Sequence, residues 1–257
     1  MAKGVNFLAQ GLVCFDMDRV LIDHMSNWQW IYDKLGVNND EAFALYNSGK
    51  LNEWDWIILD LALIKDGCMK MLGEELRDEH LRGWIEDAPL MKGWRECIDS
   101  LLDADLEVAI ISGGMQQTAR QISCTFPSNS KWQKRWGGID PHNSRDLAGG
   151  MDTRLHVFTN GWLSNPDGSI PTTGRYQVQM GGKNAIVQML QRRLGVSYER
   201  TVSIGDSPGD IAMFTQSGYA INFNPWDERT AEHSDLIIEE KDLALVADAI
   251  HNYLGTK

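Results

Sequence analysis

The sequence predicts an α/β protein: a doubly wound, Rossmann-like parallel sheet with a small all-helical domain inserted after the first strand. After about residue 90, short apolar runs alternate with segments of helical periodicity, which is typical of parallel strands covered by helices. Residues 21–90 instead carry only helical patterns. We therefore expect a core domain from residues 1–20 and 91–257, and a helical cap domain from residues 21–90.

Length and composition are consistent with this architecture. A chain of 257 residues accommodates one large α/β domain with an accessory domain. The net charge of −12 argues against nucleic acid or an anionic membrane as a partner. The four cysteines show no CxxC spacing, so we expect a reducing, cytoplasmic location. We recognise neither a signal peptide nor an apolar run long enough to cross a membrane.

The individual elements follow from apolar runs and capping residues. Ser26 is a typical N-cap for a helix over 27–35, and Gly67 is expected to end a helix over 52–65. The Asn165–Gly168 turn predicts a hairpin within 157–178. The other predicted helices are 40–48, 74–86, 94–103, 183–194 and 242–254, with further helices starting near 115 and 208. The predicted strands are 11–15, 107–111, 155–159, 201–204, 219–223 and 236–238.

Polar clusters follow three of these strands at their carboxyl ends. They are Asp16 with Asp18, Ser112 with two glycines, and Asp206 with Asp210. Taken alone, each is ordinary, because short acidic pairs, Ser-Gly-Gly turns and helix-capping aspartates are common in loops. In a doubly wound sheet, however, the carboxyl ends of the strands meet at one edge, where ligands bind. We therefore expect the three clusters to share one crevice.

The residue types in this crevice suggest phosphate chemistry. Crowded carboxylates need a cation or protonation, and oxygen ligands suit Mg²⁺. Ser112 and the amides of Gly113 and Gly114 could cradle a phosphate, and Lys183 could offset charge from the side. One carboxylate of an Asp-x-Asp pair can attack phosphorus while the other transfers protons.

Four motifs, in this order, resemble the haloacid dehalogenase superfamily and, within it, the phosphoserine-phosphatase-like branch. They are Phe15-Asp-Met-Asp18 followed by Val20-Leu21, Ile110-Ile-Ser-Gly-Gly114, Gly182-Lys-Asn184, and Ile204-Gly-Asp-Ser-Pro-Gly-Asp-Ile-Ala-Met213. The resemblance covers nearly the whole chain. The four motifs together are far more specific than any one of them.

The resemblance implies a role for each motif residue. Asp16 would be the nucleophile that forms an aspartyl-phosphate, and Asp18 the general acid/base. Mg²⁺ would be held by Asp16, Asp206 and the Asp18 carbonyl, with Asp210 supporting the site. The phosphoryl group would be bound by Ser112, the Gly113 amide and Lys183. The cap would close over the site and select a small phosphorylated metabolite.

Several positions depart from the pattern of that branch. Arg19 stands where the family usually has Gly, Ser or Thr, and it is expected either to contact substrate or to point away. The cap glutamate and arginine that recognise phosphoserine align near Met25 and Asp60, so phosphoserine is not the expected substrate. His24 is a further candidate contact with the leaving group. Residues 125–152 are interpreted as an inserted surface loop.

Alternative functions remain open at this point. A phosphotransferase to an alcohol acceptor would share every motif. A non-catalytic binding protein of this fold would be expected to have lost Asp16, Asp18 or Lys183. Asp18 and the Asp206 motif argue against a metal-independent dehalogenase. An Asp-x-Asp glycosyltransferase would need a nucleotide-binding domain before residue 16. The chain is expected to be a monomer or a homodimer.

Overall fold

The computed structural model describes residues 9–128 and 153–256. Its seven strands form one sheet in the order β4-β3-β2-β1-β5-β6-β7, parallel throughout except that β4 runs antiparallel to β3. The strands are β1 Leu12–Phe15, β2 Glu107–Met115, β3 Leu155–Trp162, β4 Gly174–Arg175, β5 Thr201–Gly205, β6 Tyr219–Phe223 and β7 Leu236–Ile238. The predicted doubly wound α/β fold is confirmed.

The central strand β1 is buried on both faces, which explains its continuous apolar sequence. Val13 and Phe15 pack into one apolar cluster, and Leu12 and Cys14 pack into another on the opposite face. Helices cover both faces of the sheet. The described α-helices are α1 Asn27–Leu35, α2 Asp40–Asn47, α3 Glu53–Leu72, α4 Asp78–Ile85, α5 Trp94–Asp103, α6 Gln116–Cys124, α7 Lys183–Leu194, α8 Ile211–Phe214 and α9 Leu243–Leu254.

Helices α1 to α4 form the segment that the sequence assigns to the cap. Apolar side chains of α1, α3 and α4 build a third cluster, which also takes in Met115 and Trp162 from the ends of β2 and β3. Ser26 caps α1 as predicted, since its side chain accepts a hydrogen bond from the Gln29 amide. The third cluster therefore joins these helices to the end of the sheet. The division into two domains at residues 20 and 90 stays a prediction.

Several predicted element ends are wrong; the helix predicted over 74–86 begins at Asp78, for example, and the strand predicted over 155–159 ends at Trp162. The helix expected to stop at Gly67 continues to Leu72, and Gly73 ends it with a left-handed backbone at φ 72°. Gly67 packs against the end of α1 instead, because a Cβ there would lie 3.3 Å from Cβ of Leu35 and 3.2 Å from Cγ1 of Val37. Strand β2 likewise runs beyond the predicted end through the Ser-Gly-Gly segment to Met115, with a shift of register against β3.

The predicted 157–178 hairpin is present where β3 pairs with β4, and its turn is closed by the Gly168 amide donating to the Asn165 carbonyl at 2.9 Å. Of the predicted 125–152 insertion, residues 129–152 lie outside the described residues. Within the part of the chain that is described, no helix has both the length and the apolar character needed to span a bilayer.

Candidate active site

Asp16 lies immediately after β1, between the two neighbouring strands. Its amide donates to the Ile204 carbonyl at 2.9 Å, which extends the β1–β5 pairing by one residue. The chain then turns sharply, because the carbonyl of Met17 accepts hydrogen bonds from the amides of Leu21 at 2.8 Å and Ile22 at 2.9 Å. This turn holds residues 18 and 19 at the edge of the sheet beside Asp16.

Asp206 and Asp210 are placed by the end of β5. The Asp210 carboxylate accepts from the amides of Asp206 at 3.0 Å and Ser207 at 3.1 Å, so it ties together the loop that carries Asp206. Gly205 makes room for this carboxylate, since a Cβ on Gly205 would lie 2.4 Å from Cγ of Asp210. Any side chain at position 205 would therefore push Asp210 out of place.

Lys183 is the cation between these carboxylates. Its Nζ lies 3.0 Å from Oδ1 of Asp16 and 2.7 Å from Oδ1 of Asp210, and only 3% of the residue is exposed. Burial lowers the pKa of Lys183, but Asp16 and Asp210 more than offset this, so its pKa is raised above the ordinary value. Lys183 therefore stays charged beside Asp16.

Three carboxylates in this crevice have the geometry of a cation site. Among the described residues, oxygen atoms of Asp16, Asp206 and Asp210 lie within 4.8 Å of one another, and all three residues are buried. Burial, followed by Asp210 and Asp16, raises the pKa of Asp206 to about 9. Oδ1 of Asp16 is buried and meets Lys183 as an ion pair without an aligned hydrogen bond. This crowding of carboxylate oxygens in one crevice fits a hard divalent cation such as Mg²⁺.

Asp18 is half-buried and is held differently from Asp16. Its Oδ1 accepts a hydrogen bond from the Asn27 amide at 3.0 Å, in the first turn of α1. Burial first, and then the charge of Asp16, raises the pKa of Asp18 to about 8. Sequence reasoning missed Asn27, although its position just after the Ser26 N-cap marks an amide that lacks a partner within the helix.

The predicted phosphate cradle lies next to Asp18. Ser112 Oγ accepts from the Gly114 amide at 3.1 Å, and a Cβ on Gly114 would lie 2.9 Å from Oδ2 of Asp18. The Gly113 carbonyl accepts from the Trp28 indole at 3.3 Å. A Cβ on Gly114 would also lie 3.0 Å from Nδ2 of Asn27, so Gly114 lets the backbone come close to both Asp18 and α1.

The three candidate substrate contacts point in different directions. The Arg19 guanidinium turns into the acidic cluster, with Nε 3.0 Å from Oδ2 of Asp206. His24 packs edge-on against Trp30, with 5.1 Å between ring centroids. Met25 is 46% exposed. Their roles as substrate contacts stay predictions.

Glu53, at the start of α3, is a further residue that the sequence did not single out. Its carboxylate accepts hydrogen bonds from the Met180 amide at 3.1 Å and from the hydroxyls of Tyr46 at 3.0 Å and Tyr176 at 3.2 Å. Met180 begins the short helical turn that leads into Lys183. Glu53 thus connects α3 to the segment that carries the buried lysine, whereas in the sequence it looks like an ordinary first-turn acid.

Comparison with known proteins independently supports the resemblance to haloacid dehalogenase-like hydrolases. A family model described as haloacid dehalogenase-like hydrolase matches residues 180–250. A phosphoserine phosphatase of Methanocaldococcus jannaschii is 25% identical over 240 residues, covering 90% of this chain and 93% of that protein. A phosphoserine phosphatase of Wolinella succinogenes is 27% identical over 155 residues, covering 60% of this chain and 62% of that protein, so this match spans less than two thirds of the relative.

A solved structure described as a phospho-aspartyl intermediate analogue of phosphoserine phosphatase shares the fold. It superposes with a TM-score of 0.67 at 22% identity, over 93% of this chain and 98% of that one. The matched family segment contains Lys183, Asp206 and Asp210, and the M. jannaschii match covers most of the rest of the chain. In its motifs, its relatives and its fold, the chain is similar to the haloacid dehalogenase-like hydrolases and, among them, to the phosphoserine phosphatases.

Proposed function

We propose that this phosphatase hydrolyses a small phosphomonoester through an aspartyl-phosphate on Asp16, with Mg²⁺ as cofactor. One observation carries the proposal: the buried Asp16 is paired with Lys183 at 3.0 Å and belongs to the cluster of three carboxylates at the carboxyl ends of β1 and β5. Asp18, with its raised pKa, stands beside that cluster. The arrangement provides a nucleophile, a proton donor and a cation-binding face in one crevice.

In the proposed reaction, the Asp16 carboxylate attacks phosphorus and forms an acyl phosphate as the bond to the leaving oxygen breaks. Asp18 donates its proton to that leaving oxygen, so the alcohol departs neutral. Asp18, now a carboxylate, takes a proton from a water molecule that attacks the phosphorus of the aspartyl-phosphate. Phosphate leaves, and Asp16 is again a carboxylate. Lys183, the Ser112 hydroxyl and the Gly113 amide hold the phosphoryl oxygens throughout.

The cofactor would be held by carboxylates of Asp16 and Asp206, together with the Asp18 carbonyl, while Asp210 supports the site through Lys183 and the Asp206 amide. When bound, Mg²⁺ neutralises the carboxylates and withdraws charge from the phosphoryl oxygens. The mutual proximity of the carboxylates of Asp16, Asp206 and Asp210 supports this proposal.

Phosphoserine is not the substrate we propose, although the curated relatives are named phosphoserine phosphatases. In this chain the position aligned with the amine-binding glutamate is the neutral Met25, and the position aligned with the carboxylate-binding arginine is Asp60. Asp60 is 5% exposed within α3, and a buried carboxyl there cannot pair with a substrate carboxylate as an arginine would. A small phosphomonoester without the amino-acid headgroup fits these positions better. The helices α1 to α4 would form the cap that selects it.

Hydrolysis of an aryl phosphate in the presence of Mg²⁺ tests the proposal. Asp16→Asn should lower kcat at least about 1,000-fold, because an amide cannot act as the nucleophile. Asp23→Asn is the matched control: this aspartate lies seven residues away and pairs with Lys241 at the surface. It should keep nearly full activity. Circular dichroism should show both variants folded.

Full activity in Asp16→Asn would refute the aspartyl-phosphate mechanism. Chelation of divalent cations should abolish hydrolysis in the unaltered protein, and activity that survives chelation would refute the metal requirement. An added alcohol should leave the yield of inorganic phosphate unchanged; its conversion to a new phosphate ester would instead identify a phosphotransferase.

A further inference from the structure

Arg19 and Lys183 form ion pairs with different carboxylates of the acidic cluster. Lys183 pairs with Asp16 and Asp210, whereas the Arg19 guanidinium pairs with Asp206, whose side chain is only 4% exposed. The arginine side chain is itself 20% exposed, so its charge lies at the boundary between the cluster and solvent. Within the described chain, the cluster therefore has one cation on each side.

The guanidinium is anchored on its far side by Asn224, which follows β6. Arg19 donates to the Asn224 backbone carbonyl at 2.8 Å and to its side-chain oxygen at 3.3 Å. Asn224 donates back from Nδ2 to the Arg19 carbonyl at 3.2 Å. The loop after β1 and the loop after β6 are thus joined through Arg19, which fixes the guanidinium against Asp206.

The backbone at both residues supports a defined role for this contact. Arg19 has φ 59° and Asn224 has φ 48°, a left-handed conformation that costs free energy for an arginine. Such a conformation persists where the surrounding contacts stabilise it. Glycine adopts this backbone conformation without strain, whereas arginine does not. The contacts of the Arg19 side chain with Asp206 and Asn224 offset the free-energy cost of the strained backbone.

The electrostatic consequence concerns the cation that binds at Asp206. A divalent cation bound there shares the Asp206 carboxylate with the guanidinium and is repelled by its charge. Without Arg19, the Asp206 carboxylate would lose its ion pair at 3.0 Å, and a cation from solution could take that place. The arginine thus stabilises the cluster when no metal is bound, and the same contact opposes metal binding.

We propose that Arg19 is a positioning residue that acts as a built-in counterion of Asp206, holding this carboxylate in the absence of metal and lowering the affinity of the site for Mg²⁺. This inference rests on the proposed function, because it takes Asp206, together with Asp16, as a carboxylate ligand of Mg²⁺.

The first experiment measures Mg²⁺ binding by isothermal titration calorimetry without substrate. Arg19→Gly suits the backbone at φ 59° and removes the charge. It should bind Mg²⁺ about tenfold more tightly, equivalent to roughly 1.4 kcal/mol. Arg95→Gln is the matched control: it removes one exposed positive charge on α5, 4.0 Å from Asp99, and should leave the dissociation constant unchanged. Asp206→Asn should lose binding.

A second variant tests the anchor and guards against misfolding of the first. Asn224→Gly keeps the guanidinium, suits φ 48° and removes only the side-chain hydrogen bonds to Arg19. A less firmly held guanidinium should compete less well with Mg²⁺ for the Asp206 carboxylate. Mg²⁺ should therefore bind more tightly than in the unaltered protein, by a smaller factor than in Arg19→Gly.

The melting temperature in chelator is the third readout, taken in a double-mutant cycle of Arg19→Gly with Asp206→Asn. If Arg19 holds Asp206, Arg19→Gly should lower the melting temperature more when residue 206 is Asp than when it is Asn. Added Mg²⁺ should then raise the melting temperature of Arg19→Gly again, because it replaces the lost positive charge at Asp206.

Two results would overturn the inference, and they have different consequences. If the unaltered protein binds Mg²⁺ but Arg19→Gly binds it equally or more weakly, or if the cycle shows no coupling, the role of Arg19 is refuted and the phosphatase proposal stands. If the unaltered protein and every variant bind no Mg²⁺, both the role of Arg19 and the proposed cofactor are refuted.

Discussion

Asp16 and Asp18 are two residues apart, yet their surroundings suit them to different tasks. Burial raises the pKa of Asp16, and the Lys183 ammonium 3.0 Å from its Oδ1 opposes that rise by favouring the carboxylate form. Asp18 has no ion-pair contact as close as that of Asp16 among the described residues; burial first, and then the charge of Asp16, raises its pKa to about 8, while the Asn27 amide opposes the rise. Titratable neighbours held in contrasting environments are a recurring basis for assigning acid and nucleophile. The geometry favours Asp16 as nucleophile and Asp18 as acid.

Replacement of Asp18 should therefore depend on the leaving group. Asp18→Asn cannot protonate the departing oxygen, so kcat for an alkyl phosphate should fall about 100- to 10,000-fold. An aryl phosphate, whose leaving group is a weak base, should lose less in the formation of the aspartyl-phosphate. The measurement is single-turnover release of alcohol or phenol from the two substrates. Equal losses for both would contradict a role for Asp18 as the general acid.

If Asp18 is the general acid, the direction in which kcat/KM changes with pH follows from its pKa. Because the pKa of Asp18 is raised to about 8, its acid form persists at neutral pH and disappears as the pH rises through that value. In the unaltered protein, kcat/KM for the alkyl phosphate should decline above about pH 8, and Asp18→Asn should lack that decline.

At the scale of elements, the sequence predicted what depends on local patterns. The strand ends that carry Asp16 and Asp206 follow from continuous apolar runs, and the start of α1 follows from Ser26. The end of α3 could not be predicted in this way, because a glycine such as Gly67 usually indicates the end of a helix. Here Gly67 lies within α3 and packs against the end of α1. Long-range partners such as Asn224, more than 200 residues from Arg19, left no local pattern at all.

Helix α3 carries a buried acid that should weaken the fold at neutral pH. Asp60 is 5% exposed, and burial raises its pKa to about 6, opposed by Tyr32, Asn39 and Trp56. A carboxyl whose pKa is higher in the folded state stabilises the fold when protonated, and this contribution is lost as the pH rises through about 6.

Asp60→Asn should therefore stabilise the protein above pH 6, because an amide stays neutral in the same space. The gain should be about 1–3 kcal/mol at pH 7.5 and should shrink towards pH 4. Urea unfolding at several pH values measures it. Asp66→Asn, an exposed position on the same helix, is the control and should show little pH-dependent difference. A destabilised Asp60→Asn at pH 7.5 would show that the ionised carboxylate is needed for packing.

At the scale of the whole molecule, the protein carries a net charge of −12, yet the proposed substrate is a phosphate anion. The positive groups that face it are local: Lys183 is buried in the crevice, and Arg19 is already paired with Asp206. Long-range repulsion should therefore oppose the approach of substrate, while the lysine and the bound cation act only at close range.

Salt should consequently improve substrate binding at low ionic strength. The Debye length shrinks from about 30 Å at 0.01 M to about 8 Å at 0.15 M, so remote surface charges are screened before contacts in the crevice are. KM should fall about twofold over this range at saturating Mg²⁺, with kcat unchanged. The double variant Glu239→Gln/Glu240→Gln removes two exposed negative charges and should flatten the salt response. A KM that instead rises with salt would mean that the local field of Lys183 and the cation governs the approach of substrate, against the charge of the molecule as a whole.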